Sequence, residues 1–499
     1  FNIYKAFTTA ENQIYLSYVS SDCDGKSLRP SILIGKIKKM YPKLQEKSDV
    51  IYKEYKVENK ISTYEQLIEN ISRLRNKEKI DDVWYYIYQY YKSQSDWNKK
   101  LEADLKGLEY TNLPEKIKKE NLEKLYGNTL NTSISRLEKY RSCPFSYYLQ
   151  YGLKLKEKEQ LKIQSFNTGS FMHETIDEFF EYVRQEGLSL AELEEEQITK
   201  IVSEIIENNL KMSKNYIFTA TAKYKVLVRR LKKIVSKALK YIIETIIYSD
   251  FSIEGTEVEF GKNGRYKPIV LEIGEGKKVE ITGKIDRIDT SKNEDGKYLR
   301  IIDYKSSAKN IDLNEVYAGL QIQLLTYTDA ICREEDIMPA GVFYFSLLEQ
   351  MVKADKKMTE DEIEETIRKN FKMKGLIIAD VKIIKMNDNT LKTGNSKLVP
   401  AALTTSGTIN EKWTNGVKAE EFRTLQEYIY KTIKDISKEI LGGNIDLKPY
   451  YKKGKTPCQY CEYKAVCGFN SRQENNTYNY IEQKSKDEIL LKMKKNLEE

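Results

Sequence analysis

Apolar residues recur at helical spacing through most of the first half of the chain, and near residue 250 the spacing changes to the alternation typical of strands. Residues 1–50 read as a helix-like start, an alternating strand IYLSYV, and a loop ending at Arg29-Pro30-Ser31 ahead of another apolar helix. Residues 51–128 are helical in pattern and rich in tyrosine, with Pro114 and Gly127 as the clearest breaks. A cap-like Thr132-Ser-Ile-Ser opens a helix that runs to Cys143, a second helix follows Gly169, and residues 187–250 keep the helical period. Four strand-like segments come next: EGTEVEF, KPIVLEI, KKVEITGKIDRID and YLRIIDYKSS. A helix over residues 312–332 and a buried-looking strand, GVFYFSLL, follow them. Residues 386–416 have the composition of a loop or insertion, ahead of a helix from 419 to about 441. The pattern predicts an α/β protein with a sheet that has helices before and after it.

The strands carry the candidate chemistry. Val279, Ile281, Gly283 and Ile285 alternate, as do Leu299 and Ile301, and SKNEDGK between them supplies an Asp-Gly turn. Asp286 and Asp303 are therefore expected on adjacent strands, pointing into one cleft. Two strand carboxylates hold a hard divalent cation such as Mg²⁺ through oxygen, and Lys305 lies two residues past Asp303 on the same strand face. A cation, an activated water and a positive charge for a scissile phosphate then share one small site, which is the arrangement of a metal-dependent nuclease. His173, the only histidine, sits four residues after Gly169 near the start of a helix, where an imidazole is either structural or metal-facing. Tyr317, Gln321 and Tyr327 fall near one face of the helix after the lysine, a spacing that also suits a plain amphipathic helix.

Composition narrows this only slightly. With 499 residues, 40% hydrophobic and 32% charged, the chain can form two to four domains with real cores. Its formal net charge of +8 suits a polyanionic partner and an ordinary surface equally well. Arg229, Lys233, Lys237 and Lys240 along one helix, and residues 448–455 with Tyr450 and Tyr451, are candidate DNA contacts or solvated faces. No signal peptide or run of about twenty apolar residues occurs, so a cytoplasmic protein without a membrane partner is expected. The chain opens on Phe1 instead of Met, which leads to the expectation that a longer polypeptide continues upstream. Of six cysteines, three form Cys458-x2-Cys461-x5-Cys467, a spacing suited to thiolates converging on one metal centre. Cys143, in a Cys-Pro step between helical stretches, is the best fourth ligand, and the set suits an iron–sulfur cluster or Zn²⁺ alike. Cys23 and Cys332 have unremarkable surroundings.

Together these residues resemble the RecB-type branch of the PD-(D/E)XK nucleases. The likeness rests on Gly169-x3-His173, GKIDRID with Asp286, Asp303-Tyr304-Lys305, and GLQIQLLTY with Gln321 and Tyr327, in that order over residues 130–470. One cysteine before this core and three after it match the iron–sulfur variant. SRLEKYRSCPFSYYLQYGLKL, CQYCEYKAVCGF and the opening of the chain are similar to the nuclease-bearing subunits of bacterial AddAB-type helicase–nucleases. The resemblance implies a restriction-endonuclease-like central mixed sheet flanked by helices, preceded by a mainly helical region from the end of a helicase-like domain. It places the end of that helicase-like region and a linker in 1–128, the nuclease domain in 129–470, and a helical tail in 471–499. It further implies a [4Fe-4S] cluster on Cys143, Cys458, Cys461 and Cys467. Mg²⁺ or Mn²⁺ would sit on His173, Asp286, Asp303 and the Tyr304 carbonyl, with Lys305 positioning water and Gln321 and Tyr327 supporting the site or the DNA strand. The second acidic residue is Asp303, so the motif takes the D-x-K form. Implied partners are single- and double-stranded DNA ends and an AddA-like helicase–nuclease subunit, and the implied task is resection of broken ends for recombination by cutting the 5′-ended strand. The rival readings are a DNA-binding scaffold with little catalysis and a CRISPR adaptation-type iron–sulfur nuclease, which leaves residues 1–128 unexplained.

Overall fold

The computed structural model describes residues 2–21, 26–47, 57, 59–76, 78–108, 111–156, 163, 165–307, 309–348, 358–471 and 475–498. It divides into two units, Phe1–Tyr110 and Thr111–Glu499. The first is helical where it is ordered into elements. Helices Lys60–Arg75, Val83–Ser93 and Ser95–Leu108 enclose a small core of Tyr64, Leu67, Trp84, Tyr91 and Leu101. Tyrosine serves that core because each ring packs while its hydroxyl finds an acceptor: Tyr91 donates to the Lys60 carbonyl and Tyr64 to Asp104. The expected strand over residues 14–19 does not form. Ile14, Tyr15, Leu16, Tyr18 and Val19 are exposed, and among the described residues no ladder pairs with them. Alternation becomes a strand only where a second edge supplies hydrogen bonds.

The second unit is built on nine strands that bear on the site: β1 Thr129–Thr132, β2 Ser252–Phe260, β3 Ile269–Gly274, β4 Lys277–Ile281, β5 Gly283–Asn293, β6 Gly296–Lys305, β7 Met338–Ser346, β8 Lys374–Ile378 and β9 Gly416–Val417. The central mixed sheet has the order β9-β8-β7-β6-β5-β2, and β1-β4-β3 form a smaller one. The segment KKVEITGKIDRID, expected as one strand, is divided between the two sheets at Thr282. Thr282 N–H still donates to the Thr132 carbonyl, extending the β1–β4 pairing, whereas Gly283 already pairs with Phe260 of β2. A glycine is required at this transfer point, since a Cβ on Gly283 would lie 1.8 Å from the Tyr327 hydroxyl. The β5–β6 hairpin closes on the pair Asn293–Gly296, so its turn is Glu294-Asp295, one residue ahead of the expected Asp-Gly turn, and its register runs to the pair Arg287–Ile302.

Helices cover both faces. Ser165–Gln185, Glu195–Asn209 and Ala222–Ile247 pack against Ile302, Tyr304, Phe343 and Phe345. Gln323–Glu335, Ala419–Leu441 and Lys486–Glu498 share the other core with Leu299, Ile301 and Val342. The helix expected over 312–332 is two helices, Leu313–Tyr317 and Gln323–Glu335, because Gly319 adopts φ +78° and turns the chain between them. No helix among the described residues is long and apolar enough to cross a membrane.

Within the sheet lies a buried ion network in which Arg287, Asp289 and Arg300 are each at most 1% exposed. Arg287 donates to both Asp289 oxygens at 2.6 and 2.5 Å, and Arg300 Nε donates to Oδ2 at 2.8 Å. Burial opposes the charge on Asp289, but the two guanidiniums outweigh it and hold the carboxyl below its usual range. Arg300 also donates to the Thr245 carbonyl, Ser249 Oγ and Asn387 Oδ1. Asp289→Ala leaves two guanidiniums facing each other in a dry interior, and it is expected to destabilise the unit by about 3–5 kcal/mol. Denaturant melts measure this; a loss below about 1 kcal/mol would mean that water replaces the carboxylate.

Candidate active site and cysteine centre

Three carboxylates lie in a row across three neighbouring strands. Glu257 of β2 falls between the pairs Thr256–Arg287 and Val258–Ile285, which sets it opposite Asp286 of β5. Asp286 in turn lies one step beyond the Arg287–Ile302 pair, opposite Asp303 of β6. His173 reaches this row from the helix Ser165–Gln185: its Nδ1 is 3.3 Å from Asp286 Oδ2 and 3.9 Å from Glu257 Oε1. One turn further along that helix, Asp177 accepts a 2.5 Å hydrogen bond from Thr256 Oγ1, which docks the helix beside Glu257. Asp286 Oδ2 also accepts from the Tyr304 N–H at 2.7 Å, and Lys305 Nζ lies 2.5 Å from Asp303 Oδ2.

The electrostatics are those of a site with too little positive charge. Burial, and then the charge of Asp286, push Asp303 up to about 6 despite Lys305. Burial and Asp286 likewise raise Glu257 against the pull of Lys284. Burial disfavours a charged imidazole at His173, yet the hydrogen bond and charge of Asp286, with Glu257, hold its pKa above the ordinary value. Lys305, which burial would neutralise, is kept protonated by Asp303. Ligand atoms of His173, Glu257 and Asp286 all lie within 4.8 Å of one another. An oxygen-rich set with one imidazole suits Mg²⁺ or Mn²⁺.

His173, Asp286, Asp303, Tyr304 and Lys305 thus fall in one region, but the ligand atoms within 4.8 Å of one another are those of His173, Glu257 and Asp286, and Asp303 faces Lys305 instead. Glu257 was missed by the sequence reading, as one of three acidic residues in a strand with no mark to single it out. Tyr327 is 2% exposed, stacks on Phe260 at 5.1 Å, and sets its hydroxyl against Gly283. Burial raises its pKa, with smaller contributions from the charges of Glu138 and Asp303. Gln321 does not share a helical face with Tyr317 and Tyr327, because it lies in the break between helices. Its amide accepts from Asp312 N–H at 3.0 Å and donates to Glu315 at 2.6 Å. Glu138, also unforeseen, accepts from the N–H groups of Ile322 and Gln323 at 2.8 and 3.1 Å and so caps the helix carrying Tyr327. Burial pushes it up to about 7, opposed by Lys309, those two amide hydrogen bonds and Lys305.

The basic stretches are less open than their sequences imply. Lys452 forms ion pairs with Asp312 and Glu315 and is 13% exposed, so it belongs to the helix break and not to a DNA surface. Lys240 is shared between Glu195 and Glu364. Arg229, Lys233, Lys453 and Lys455 remain exposed.

Cys143 ends the helix Ile134–Ser142, and Pro144 starts the next, turning the thiol inward. Cys143, Cys458, Cys461 and Cys467 line one cavity with Phe145, Leu447, Pro449 and Phe469. None of the four is in a disulfide, and burial, with Cys458 and Cys461 nearby, pushes the Cys143 thiol up to about 11. Four thiols without an imidazole, walled by apolar groups, fit an iron–sulfur cluster or a tetrahedral Zn²⁺. Cys332 packs against the larger core, and Cys23 lies outside the described residues.

Comparison with known proteins agrees with this geometry. Residues 54–107 match the fifth domain of the ATP-dependent helicase/deoxyribonuclease AddB. The chain is 37% identical over 509 residues to one subunit of the ATP-dependent helicase/deoxyribonuclease of Clostridium novyi (strain NT), covering 100% of this chain and 45% of that protein. The same-named subunit from Acetivibrio thermocellus is also 37% identical, with 100% and 44% covered, and that from Clostridium tetani 35% identical, with 100% and 44% covered. The chain spans less than half the length of these relatives. Residues 131–468, which enclose the carboxylate row, His173, Lys305 and all four clustered cysteines, match the PD-(D/E)XK nuclease superfamily, and the chain belongs to that superfamily.

Proposed function

We propose that this chain is the nuclease-bearing part of a helicase–nuclease subunit and hydrolyses phosphodiester bonds of DNA with Mg²⁺ or Mn²⁺. The observation that carries the reading is the Asp286–Asp303 pair on adjacent strands, with His173 over one carboxylate and Lys305 against the other. His173, Asp286, Asp303 and the Tyr304 carbonyl would hold the cation. When bound, it supplies Lewis acidity that draws charge from the scissile phosphate and makes an adjacent water a better nucleophile. Asp303 orients Lys305 and keeps it protonated, so the ammonium acts as a hydrogen-bond donor that positions the attacking water or a phosphate oxygen. The Tyr304 N–H fixes Asp286, and the capped helix with Tyr327 closes the site from beside Gly283.

On the cysteines we place a [4Fe-4S] cluster, which would join Cys143 to the C-terminal segment. The partner would be an AddA-like helicase–nuclease subunit. The joint task would be resection of double-strand ends in the cytoplasm, with this chain cutting the 5′-ended strand and DNA reaching it as single strands. A stand-alone CRISPR-type nuclease has no place for residues 54–107, which match a helicase-subunit domain.

Asp303→Ala is expected to abolish cleavage of single-stranded DNA in Mg²⁺ or Mn²⁺ while leaving DNA binding unchanged; cutting at a rate near wild type would move the chemistry elsewhere. A second outcome concerns pH. Asp303 titrates near 6 when folded and in the ordinary carboxylate range when unfolded, so between about pH 4 and 6 the folded state binds more protons and stability falls as pH rises. His173, raised in the fold, contributes stability that is present below the ordinary imidazole pKa and lost as pH rises through the folded one. Metal-free protein should therefore lose on the order of 2 kcal/mol from this site as pH rises from about 4 to 8. Added Mg²⁺ or Mn²⁺ should raise the melting temperature more at the upper end. An equal metal-induced rise at both ends, or one unchanged in Asp303→Asn, would remove the cation from these residues. For the cluster, anaerobically purified protein should contain iron and sulfide and absorb in the visible range, and Cys461→Ala should lose that absorbance. Stoichiometric zinc without iron would overturn the assignment.

A further inference from the structure

Glu257 has no role in the ligand set proposed above, yet it occupies one end of the carboxylate row. It is half-buried, its Oε1 lies 3.9 Å from His173 Nδ1, and the register sets it opposite Asp286. Its other oxygen meets Lys284 Nζ at 2.7 Å. Lys284 stands two residues before Asp286 on β5, and its side chain is 49% exposed. The backbone around Glu257 is held by its neighbour: Thr256 donates to Asp177 on the His173 helix, so strand and imidazole keep a fixed spacing. Three donors of the type that bind Mg²⁺ or Mn²⁺ thus converge at Asp286, and one of them is neutralised by a lysine with open solvent behind it.

We propose that Glu257 is a further catalytic residue, a direct ligand of the divalent cation, and that Lys284 is the counter-charge it exchanges for that cation. The proposal rests on the cation reading of the preceding section. The alternative is that Glu257 does no more than pair with Lys284.

The test is Mn²⁺ alone, titrated against the metal-free full chain and followed by the electron paramagnetic resonance of free Mn²⁺. Glu257→Gln should weaken binding by at least about tenfold, and Glu257→Asp, which keeps the charge, should recover most of the loss. Lys284→Gln should tighten binding, because the competing ammonium is gone. That gain should vanish in the Glu257→Gln background, since two groups acting only through their fields would give additive effects. Binding by Glu257→Gln within about twofold of wild type, or a Lys284→Gln gain that persists in the double variant, overturns the proposal. Asp286→Ala separates the two readings. If it loses Mn²⁺ while Glu257→Gln does not, only the role of Glu257 fails; if wild type binds no Mn²⁺, the cation reading itself fails. Metal-free melting within about 2 °C of wild type shows that each variant is folded.

Discussion

Two guanidiniums closing on the Asp289 carboxylate fix how β5 lies against β6, and much of the second unit depends on that fit. Side chains alternate between faces at every step of a strand, so a slip of one residue would carry Asp286 away from Asp303. The network opposes such a slip because Arg287 and Asp289 are on one strand and Arg300 on the other, all buried. Arg300 extends the constraint to Thr245 and Ser249 at the end of the helix Ala222–Ile247 and to Asn387, so the helical layer is registered on the same ions. GKIDRID is therefore two devices in seven residues: its first aspartate faces the cleft and its second, with the arginine between, holds the strand that presents it.

What the amino-acid pattern made legible was whatever depends on short-range period. The alternation around Asp286 and Asp303, a tight turn within SKNEDGK joining their strands, and the two-residue step to Lys305 all survive in the fold because a hairpin is local. The parts that were not legible depend on contacts between distant segments. Thr282 ends one sheet and Gly283 begins another only because Thr132 and Phe260 stand beside them. Glu257 faces His173 where the strand departs from regular geometry, with φ +48°, and an alternation rule cannot see such a departure. Lys452 looks like one of a run of free cations until the fold sets Asp312 and Glu315, 140 and 137 residues away in sequence, against it. Residues 14–19 carry a strand's pattern without a second edge.

The thiol cavity is held by more than its cysteines. Tyr140 donates to the Asn444 carbonyl, the Phe145 N–H to Asp446, Tyr463 to the Leu155 carbonyl and Asn112 to the Cys467 carbonyl. Arg141 adds an ion pair to Glu439. These bonds join segments some three hundred residues apart, so backbone and side-chain contacts hold the walls of the cavity as well as the cysteines do.

The helix Ile134–Ser142 links that cavity to the helix that carries Tyr327. Cys143 fixes its far end to the thiol cavity, and Glu138, midway along it, grips the first two amides of the helix that carries Tyr327. A single short helix thus ties the backbone that seats Tyr327 against Gly283 to a cavity lined by cysteines from the far end of the sequence.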